Sequence, residues 1–506
     1  MPYFLGIDLG TQSIKVAFYN PETENLFWNE MEYPIQSGFS MEGYLERDIE
    51  MYWESMIAVL ENAMSEKKIK PDEIKALSFS VLGETFVPTD ENFKPLRSAF
   101  SGHDIRGSEE ALFLKEKFGN DVLQKISGQP DVEVIWPAVK ILWFKNNQPG
   151  LFKKTKRYLN VEDYIINKLT GKFVTENTML CSTLYYDISK LEWYQPMLDF
   201  LNIDLKLLPE VKSTCEVIGN ISREAAKTTG LSTKTLVVAG AMDQIAGATG
   251  AGNIESGILT ETTGTSLALG ITFKGGLEDI NKNIPYYFHS IKDGFFLLPW
   301  SPSGGITLKW VKDIFFSYEK RLAEDSGQDI YKMLDGMAAK IPAGAEGLIV
   351  LPYILGSACP HSNPNAKLVF FGLTLNHGKP HIVRAVLEAT AYLIRENLEA
   401  IKKYRVEFKK IISLGGGSKS PLWCQIKSDI CNIQVETLKY GDLASSIGAC
   451  FFAAVGADYY KSIDYIKNSP LLTSKNVFNP NKENSEIYNS GYKKFKTIYQ
   501  RSLDIF

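Results

Sequence analysis

"GIDLGTQSIK", residues 6–15, joins two apolar segments through a short polar turn. One apolar run reaches Asp8, and a second runs from Ile14 to Tyr19. Two apolar runs separated by turn residues predict a hairpin of two strands. Glycine lets the backbone N–H groups of such a turn approach an anion, and hydroxyl and lysine side chains add donors. The candidate phosphate ligands are Gly10, Thr11, Gln12, Ser13 and Lys15.

Asp8 has two interpretations at this point. A carboxylate at the end of a strand can hold Mg²⁺ through water, because Mg²⁺ keeps much of its hydration shell. In an ordinary hairpin, the same carboxylate accepts hydrogen bonds from N–H groups of the turn. The stretch alone leaves both interpretations open.

A similar pattern returns about half a chain later. In "ETTGTSLALG", residues 261–270, Gly264 and Thr265 again lie between a strand-like segment and a second apolar run. A pattern that recurs after half the chain indicates a duplicated domain. Two sheets, each with a phosphate-facing hairpin, can enclose a nucleotide between them. We expect two domains, residues 1–247 and 248–506, divided where glycine is dense.

Composition and charge narrow the class of protein. The chain has 506 residues and 44% apolar residues, a composition typical of a globular protein. Its net charge of −4 does not indicate the basic domain that is typical of nucleic-acid-binding proteins. We find no apolar run of membrane-spanning length, and "MPYFLGID" lacks the features of a signal peptide. We therefore expect a cytoplasmic protein without nucleic-acid or membrane partners.

Two further segments carry candidate chemistry. In "GAMDQIAGATGAG", residues 240–252, Asp243 follows an apolar strand and begins a helix of small residues. A helix N-terminus favours its ionised form, which can accept a proton from a bound hydroxyl, although a simple N-cap explains the same pattern. Three glycines, 415–417, follow a strand and precede a helix, which favours close approach of the backbone to a ligand.

Together these segments resemble the FGGY family of carbohydrate kinases, within the actin–hexokinase–chaperone superfamily. The similarity covers about residues 3–460 and rests on motifs in the family's order. The matching segments are "GIDLGTQSIK", "SAFSGHDIRG" (98–107), "PAVKILWFKNN" (137–147), "AGAMDQIAGATGAG" (239–252), "TTGTS" (262–266), "GGITLKWVKD" (304–313), "FFGLTLNHGKPHIVRAVLEAT" (370–390) and "LGGGSKSPLWCQIKSD" (414–429).

The resemblance implies an α/β fold with two ribonuclease-H-like (actin-like ATPase) domains and a cleft between them. Sugar would bind mainly to the first domain and ATP mainly to the second. Asp243 would be the general base, with Gln244 beside it at the substrate, and Asp8 would help to place Mg²⁺. Groups that would contact ATP in the second domain are Gly264, Thr265, Gly305, Lys309, Gly416, Gly417 and Ser420.

The sugar site departs from the family's familiar patterns. Where xylulose kinases usually have Met-His and glycerol kinases Arg-Glu, this chain has Gly83-Glu84. The tryptophan usual two residues before Asp104 is replaced by Gly102, and His103 follows it. The predicted substrate contacts are Glu84, His103, Asp104 and Trp136.

We expect ATP-dependent phosphorylation of a pentulose such as xylulose, with a small-molecule sugar as the partner. The resemblance also allows gluconate, a glycerol-like polyol or autoinducer-2 as substrate. A non-catalytic, actin-like nucleotide-binding protein is the alternative of another class. A nicotinamide dehydrogenase would need Gly-x-Gly-x-x-Gly after the first strand, which this chain lacks. Dimers are common in the family, so a homodimer is a further expectation.

Overall fold

The computed structural model describes residues 1–33, 43–274, 283–402 and 406–506. The chain packs into two compact units. The first unit consists of Met1–Gly252, Pro285–Phe296 and Leu443–Leu471. The second unit consists of Asn253–Ile284, Leu297–Asp442 and Leu472–Phe506.

Strands and helices in the described residues are numbered in chain order. The strands are β1 (Tyr3–Leu9), β2 (Ser13–Asn20), β3 (Asn25–Glu32), β4 (Glu46–Arg47), β5 (Ile74–Val81), β6 (Phe86–Thr89), β7 (Ala99–Phe100), β8 (Arg157–Asn160), β9 (Val174–Glu176), β10 (Tyr186–Asp187), β11 (Glu192–Trp193), β12 (Glu210–Lys212), β13 (Val217–Asn220), β14 (Leu236–Val238), β15 (Ala241–Met242), β16 (Ile258–Thr263), β17 (Leu267–Phe273), β18 (Tyr286–Phe288), β19 (Phe295–Leu297), β20 (Trp300–Ser301), β21 (Ile349–Pro352), β22 (Leu368–Phe371), β23 (Lys410–Leu414), β24 (Gln434–Leu438) and β25 (Ser474–Phe478). The α-helices are α1 (Glu50–Lys67), α2 (Ser108–Phe118), α3 (Asn120–Ser127), α4 (Pro137–Asn147), α5 (Pro149–Lys154), α6 (Val161–Thr170), α7 (Asn177–Leu180), α8 (Gln195–Leu201), α9 (Arg223–Thr229), α10 (Asp243–Gly250), α11 (Gly305–Phe315), α12 (Ser317–Ser326), α13 (Ile330–Ala338), α14 (Lys379–Lys402), α15 (Pro421–Cys431), α16 (Ala444–Gly456) and α17 (Ser485–Ser502).

The first unit is built on a sheet with strand order β13-β14-β5-β1-β2-β3. Strand β15 also pairs with β5. The predicted hairpin is confirmed, because β1 and β2 pair antiparallel. Strand β5 pairs parallel with β1, and β15 pairs parallel with β5. The carboxyl ends of β1, β5 and β15 therefore meet at one edge of the sheet.

Helices cover both faces of this sheet, which explains why β1 is apolar on both sides. Leu5 and Ile7 share a core with side chains of α1, whereas Phe4 packs with the alanines of α16. A Cβ atom at Gly6 would lie 2.1 Å from the carbonyl oxygen of Ser446, so α16 rests directly on the strand.

Helices α10 and α16 also meet with their backbones in contact. A Cβ atom at Gly250 would lie 1.8 Å from the Ala444 carbonyl oxygen, and one at Gly448 would lie 2.1 Å from that of Ala246. The small residues of these two helices thus allow their backbones to pack closely. Because α16 packs on the first sheet, residues 443–471 join the first unit, which differs from a single division of the chain at 247/248.

The second unit repeats the arrangement. Its sheet contains β17-β16-β23-β24-β25, with β20 beside β17. Strands β16 and β17 form an antiparallel hairpin, and β23 pairs parallel with β16, as β5 does with β1. The Gly-Thr pattern that recurs in the sequence thus corresponds to a repeated hairpin, each copy with a parallel neighbouring strand. Among the residues described, we find no helix that combines the length and apolarity needed to cross a membrane.

Candidate active site

The opening hairpin carries Asp8 near the carboxyl end of β1. Its Oδ1 atom accepts a hydrogen bond of 2.7 Å from the hydroxyl of Ser80, its partner on β5. Burial raises the pKa of Asp8, and the Ser80 hydroxyl and the charge of Lys15 partly offset that effect. Asp8 thus has a polar neighbour on each adjacent strand, because Lys15 is its partner on β2.

The turn after Asp8 is tight. The N–H of Gly10 donates to the Ser13 carbonyl at 3.1 Å, and the carbonyl of Gln12 accepts from Tyr33 at 2.9 Å. Thr11 lies between Gly10 and Gln12 in the bend. The predicted turn is confirmed as a structure, and its contact with phosphate stays a prediction.

Asp243 lies where β15 ends and α10 begins, as its sequence context predicts. Burial raises its pKa to about 7, and the charges of Asp8 and Glu84 contribute to the rise. The backbone N–H of Gln244 donates to the carboxyl group and opposes the rise. A carboxyl group with a pKa near neutrality is suited to accept a proton during catalysis.

Glu84 follows β5 in a strained turn. Its φ angle is +58°, a region that non-glycine residues seldom adopt. Burial raises the pKa of its carboxyl group, and a hydrogen bond with Ser182 lowers it. A Cβ atom at Gly102 would lie 3.6 Å from the Glu84 carboxylate and 2.7 Å from the Gly83 carbonyl oxygen. Gly102 therefore leaves space beside the Glu84 carboxylate that a tryptophan would fill.

The sequence did not indicate Glu133, which joins this group of acids. Burial raises its pKa to about 7, with contributions from the charges of Asp131 and Glu84. Tyr287 is buried and senses the charges of Glu84 and Glu133, while its hydroxyl lies 3.3 Å from Gln129 Oε1. Glu133 lies in the loop before α4 and Tyr287 lies on β18, far apart in the sequence, so local sequence patterns contain no signal for their proximity. We call Asp8, Glu84, Glu133 and Asp243 the acidic cluster.

Asp104 is fully buried, and its carboxylate is already engaged. The backbone N–H of Leu45 donates to it at 2.7 Å, Arg106 Nε at 2.9 Å, and Lys140 Nζ at 2.8 Å. Burial by itself would raise the pKa of Asp104, but the hydrogen bonds from Arg106 and Lys140 hold it below its usual range. The Arg106 guanidinium also packs over the Trp143 ring. These contacts explain the Asp-x-Arg and Lys-x-x-Trp patterns as one packed network, and a sugar contact of Asp104 stays a prediction.

The other predicted sugar contacts differ in exposure. His103 is exposed next to Gly102, and Gln244 is partly exposed beside Asp243. Trp136 is only 5% exposed, lies in an apolar core and donates its indole N–H to the Asp131 carbonyl at 3.0 Å. Trp136 can therefore offer a ligand only a small part of its surface.

The predicted ATP contacts of the second unit line one cavity of about 840 Å³, a volume typical of ligand sites. It contains Gly264, Thr265, Gly305, Lys309, Gly416, Gly417 and Ser420. The structure thus brings together residues that are up to about 150 positions apart in the sequence.

Glycines shape the end of this cavity at the turn of Gly264 and Thr265. The N–H of Gly305 donates to the Gly264 carbonyl at 2.9 Å, and a Cβ atom at position 305 would lie 2.4 Å from that oxygen. Helix α11 begins at Gly305 and so directs its N-terminus towards the turn of Gly264 and Thr265. Backbone N–H groups at a helix N-terminus favour a bound anion.

Other lining residues were not predicted. They are Asp329, Tyr331, Lys332, Asp335, Trp423, Thr437, Asp442, Lys475 and Asn476 among others. Trp423 follows the predicted glycine segment closely in the sequence, so the pattern of that segment already pointed to this part of the cavity wall. The remainder come from separate elements, and only the tertiary structure collects them.

Comparison with known proteins identifies relatives along the whole chain. Residues 3–250 match the model of the FGGY family of carbohydrate kinases, N-terminal domain, and residues 285–457 match the C-terminal domain. Xylulose kinase of Bacillus subtilis (strain 168) is 28% identical, covering 100% of this chain and 98% of that protein. Gluconokinase of the same strain is 27% identical, covering 96% of this chain and 93% of that protein.

A solved structure has the same fold. Ligand-bound xylulose kinase from Lactobacillus acidophilus superimposes with a TM-score of 0.89 at 25% identity, covering 99% of this chain and 98% of that one. The two-unit α/β architecture is therefore the actin-like ATPase fold of these kinases.

Proposed function

The chain belongs to the FGGY family of carbohydrate kinases, and on that premise we propose that it transfers the γ-phosphoryl group of ATP to a hydroxyl of a pentulose such as xylulose. The observation that carries the proposal is the position of Asp243. Its carboxyl group lies at the shared carboxyl edge of β1, β5 and β15, with a pKa of about 7 beside two further acids.

In this proposal Asp243 accepts the proton of the attacking sugar hydroxyl. The hydroxyl oxygen then attacks the γ-phosphorus, the bond from that phosphorus to the bridging oxygen breaks, and ADP leaves with the bond's electron pair. Such transfer depends mainly on positioning and charge stabilisation, so it needs no covalent nucleophile from the protein. The Gln244 N–H orients the carboxylate that receives the proton.

Mg²⁺ fits the residues around Asp8. Burial raises the pKa values of Asp8 and Asp243, and the charge of Asp8 adds to the rise at Asp243. A divalent cation would relieve that cost for the carboxylate oxygens. We propose that Asp8 holds the ion. When bound, Mg²⁺ would neutralise phosphate charge.

We assign nucleotide binding to the cavity of the second unit. The turn of Gly264 and Thr265 would bind phosphate with the N-terminus of α11, and Lys309 would supply a cation nearby. The backbone of Gly416 and Gly417 would lie against adenosine, with Ser420 beside it. We propose that Gly10, Thr11, Gln12, Ser13 and Lys15 in the hairpin of the first unit also bind phosphate.

The acidic cluster favours a neutral substrate over gluconate. Sugar hydroxyls can donate hydrogen bonds to Glu84 and Glu133, whereas the carboxylate of gluconate would be repelled by them. Like-charge juxtaposition is an effective means of rejecting a competing ligand. We therefore propose Glu84 and Glu133 as sugar contacts, with His103, Trp136, Gln244 and Asp104 at the margin of the site.

A coupled assay of ADP release tests this proposal. The protein would be supplied with MgATP and with xylulose, gluconate or glycerol, and kcat/KM would be compared. We expect the highest value for xylulose and a value for gluconate about 10-fold or more lower. Higher turnover of gluconate would refute the substrate assignment, and ATP binding without turnover of any sugar would favour a non-catalytic protein.

Two expectations about the protein in the cell complete the proposal. Use of ATP and a free sugar fits the cytoplasm, where we propose that it acts. A homodimer stays a prediction, which sedimentation equilibrium of the purified protein would test.

A further inference from the structure

A closed polar network lies under the floor of the nucleotide cavity. Glu261 on β16 and Lys427 on α15 are both fully buried, and Lys427 Nζ lies 2.7 Å from Glu261 Oε2. The hydroxyls of Thr263 and Ser413 complete the network and are also buried. Glu261 and Thr263 lie two positions apart on β16, and Ser413 is the partner of Glu261 on β23. All three side chains therefore face the same side of the sheet.

The hydrogen bonds of this network are mutually satisfied. Ser413 Oγ donates to Glu261 Oε2 at 2.6 Å, and Thr263 Oγ1 donates to Glu261 Oε1. Lys427 Nζ donates to Glu261 and also to the Thr263 and Ser413 hydroxyls, at 3.3 Å each. The three N–H donors of the lysine are thus all used, and the orientations of both hydroxyls are determined by their neighbours.

The network touches the cavity through residues that line it. Thr263, Ser413 and Gly417 are part of the cavity wall. A Cβ atom at Gly417 would lie 2.7 Å from Thr263 Cβ and 3.1 Å from Lys427 Nζ, so the glycine segment rests directly on the network. Thr263 is also the residue immediately before Gly264. Glu261 and Lys427 therefore support both the phosphate-facing turn and the glycine segment from the buried side.

A buried ion pair is a poor source of stability, because the cost of removing two charges from water offsets most of their attraction. The positions of its two charged groups are strictly constrained, because each buried charge must keep its hydrogen-bond partners. We propose that Glu261 and Lys427 are positioning residues, which hold the turn at residues 263–265 and the segment at residues 415–417 in the arrangement that binds nucleotide. This inference rests on the proposed nucleotide site in the second unit.

Calorimetric titration with ADP tests the inference. In Lys427→Met the side chain at position 427 keeps about the same length but loses its charge and its three N–H donors. We expect ADP to bind about 10-fold more weakly, the order of loss seen when outer-shell partners of metal sites are removed. The KM for ATP should rise with it, while the KM for xylulose stays within about twofold, because the sugar contacts belong to the first unit.

Arg384→Met is the matched control. Arg384 and Glu388 form another buried pair in the second unit, with Nε and Oε1 2.7 Å apart, and neither lines the cavity. This control should lose thermal stability and keep the wild-type affinity for ADP. Unchanged ADP affinity in Lys427→Met, or an equal loss in Arg384→Met, would overturn the inference.

The remaining outcomes are also decisive. Failure of the wild-type protein to bind ADP would refute the proposed nucleotide site together with this inference. If Lys427→Met does not fold, the double variant Glu261→Gln/Lys427→Met removes both charges and avoids an unpaired buried carboxylate. Weakened ADP binding by the double variant supports the inference, and wild-type affinity refutes it. Failure of both variants to fold would make the network a requirement of the fold and would equally refute it.

Discussion

Asp243→Asn should abolish most of the activity while making the protein more stable. Asparagine keeps the shape of the side chain and can still accept the N–H of Gln244, but it cannot take a proton from the sugar. Loss of general-base assistance lowers kcat by about 10²- to 10⁴-fold. In the wild type, kcat/KM should rise with pH through an apparent pKa near 7, and the variant should lack this limb.

The stability effect follows from the same pKa. Folding raises the pKa of Asp243 from 3.8 to about 7, so the folded state binds a proton that the unfolded state has released between these values. The contribution of this carboxyl group to the free energy of unfolding is therefore fully present below pH 3.8 and is lost as pH rises through about 7. The loss corresponds to about 4 kcal/mol, which asparagine avoids because it carries no charge.

The advantage of the variant should grow from about pH 4 to about pH 7 and then level off. Scanning calorimetry at pH 8 should find its Tm higher by about 4 °C or more. Coupled ADP-release assays on the same samples give kcat. A kcat within about tenfold of the wild type, or a lower Tm at pH 8, would refute the assignment of Asp243 as a partly buried general base.

Glu84→Gln should raise the KM for sugar with little change in the KM for ATP, and an equal rise in both KM values would contradict the proposed role of Glu84. The same variant should shift the acid limb of kcat/KM to lower pH, because the charge of Glu84 helps to raise the pKa of the general base. Lys140→Met should destabilise the protein by about 1–3 kcal/mol in urea unfolding, because it removes one of the two cationic partners of the buried Asp104 carboxylate and leaves Arg106 as the other. Gly250→Ala should cost about 1–3 kcal/mol, since its new methyl group would meet a backbone oxygen of α16 at 1.8 Å. Gly336→Ala, in a helix with open space around the site, is its control and should keep or raise the Tm.

Local patterns predicted the elements that carry the chemistry. The Gly-Thr turns, the strand before Asp243 and the small-residue helix after it all depend on residues close together in sequence, so periodicity and turn residues were sufficient to locate them. The order of these motifs also identified the family.

Long-range packing decided what the patterns could not. Residues 443–471 join the first unit because the glycines and alanines of α16 fit closely against β1 and α10, and no local signal states which sheet a helix will cover. The motif predicted Asp104 as a sugar contact, which stays a prediction, and only the packed structure shows that Leu45, Arg106 and Lys140 donate to its carboxylate.

By itself the sequence determined the two hairpins with their Gly-Thr turns and the kinase family, and it predicted Asp243 as the base. The tertiary structure alone decided the environment of those residues. Long-range packing brings Glu133 to the acidic cluster and joins Lys427 to Glu261 beneath the cavity of the second unit. Burial and neighbouring charge raise the pKa of Asp243 to about 7. Desolvation and electrostatic interaction depend on atoms that are distant in sequence and close in space, so they arise only when the chain has folded.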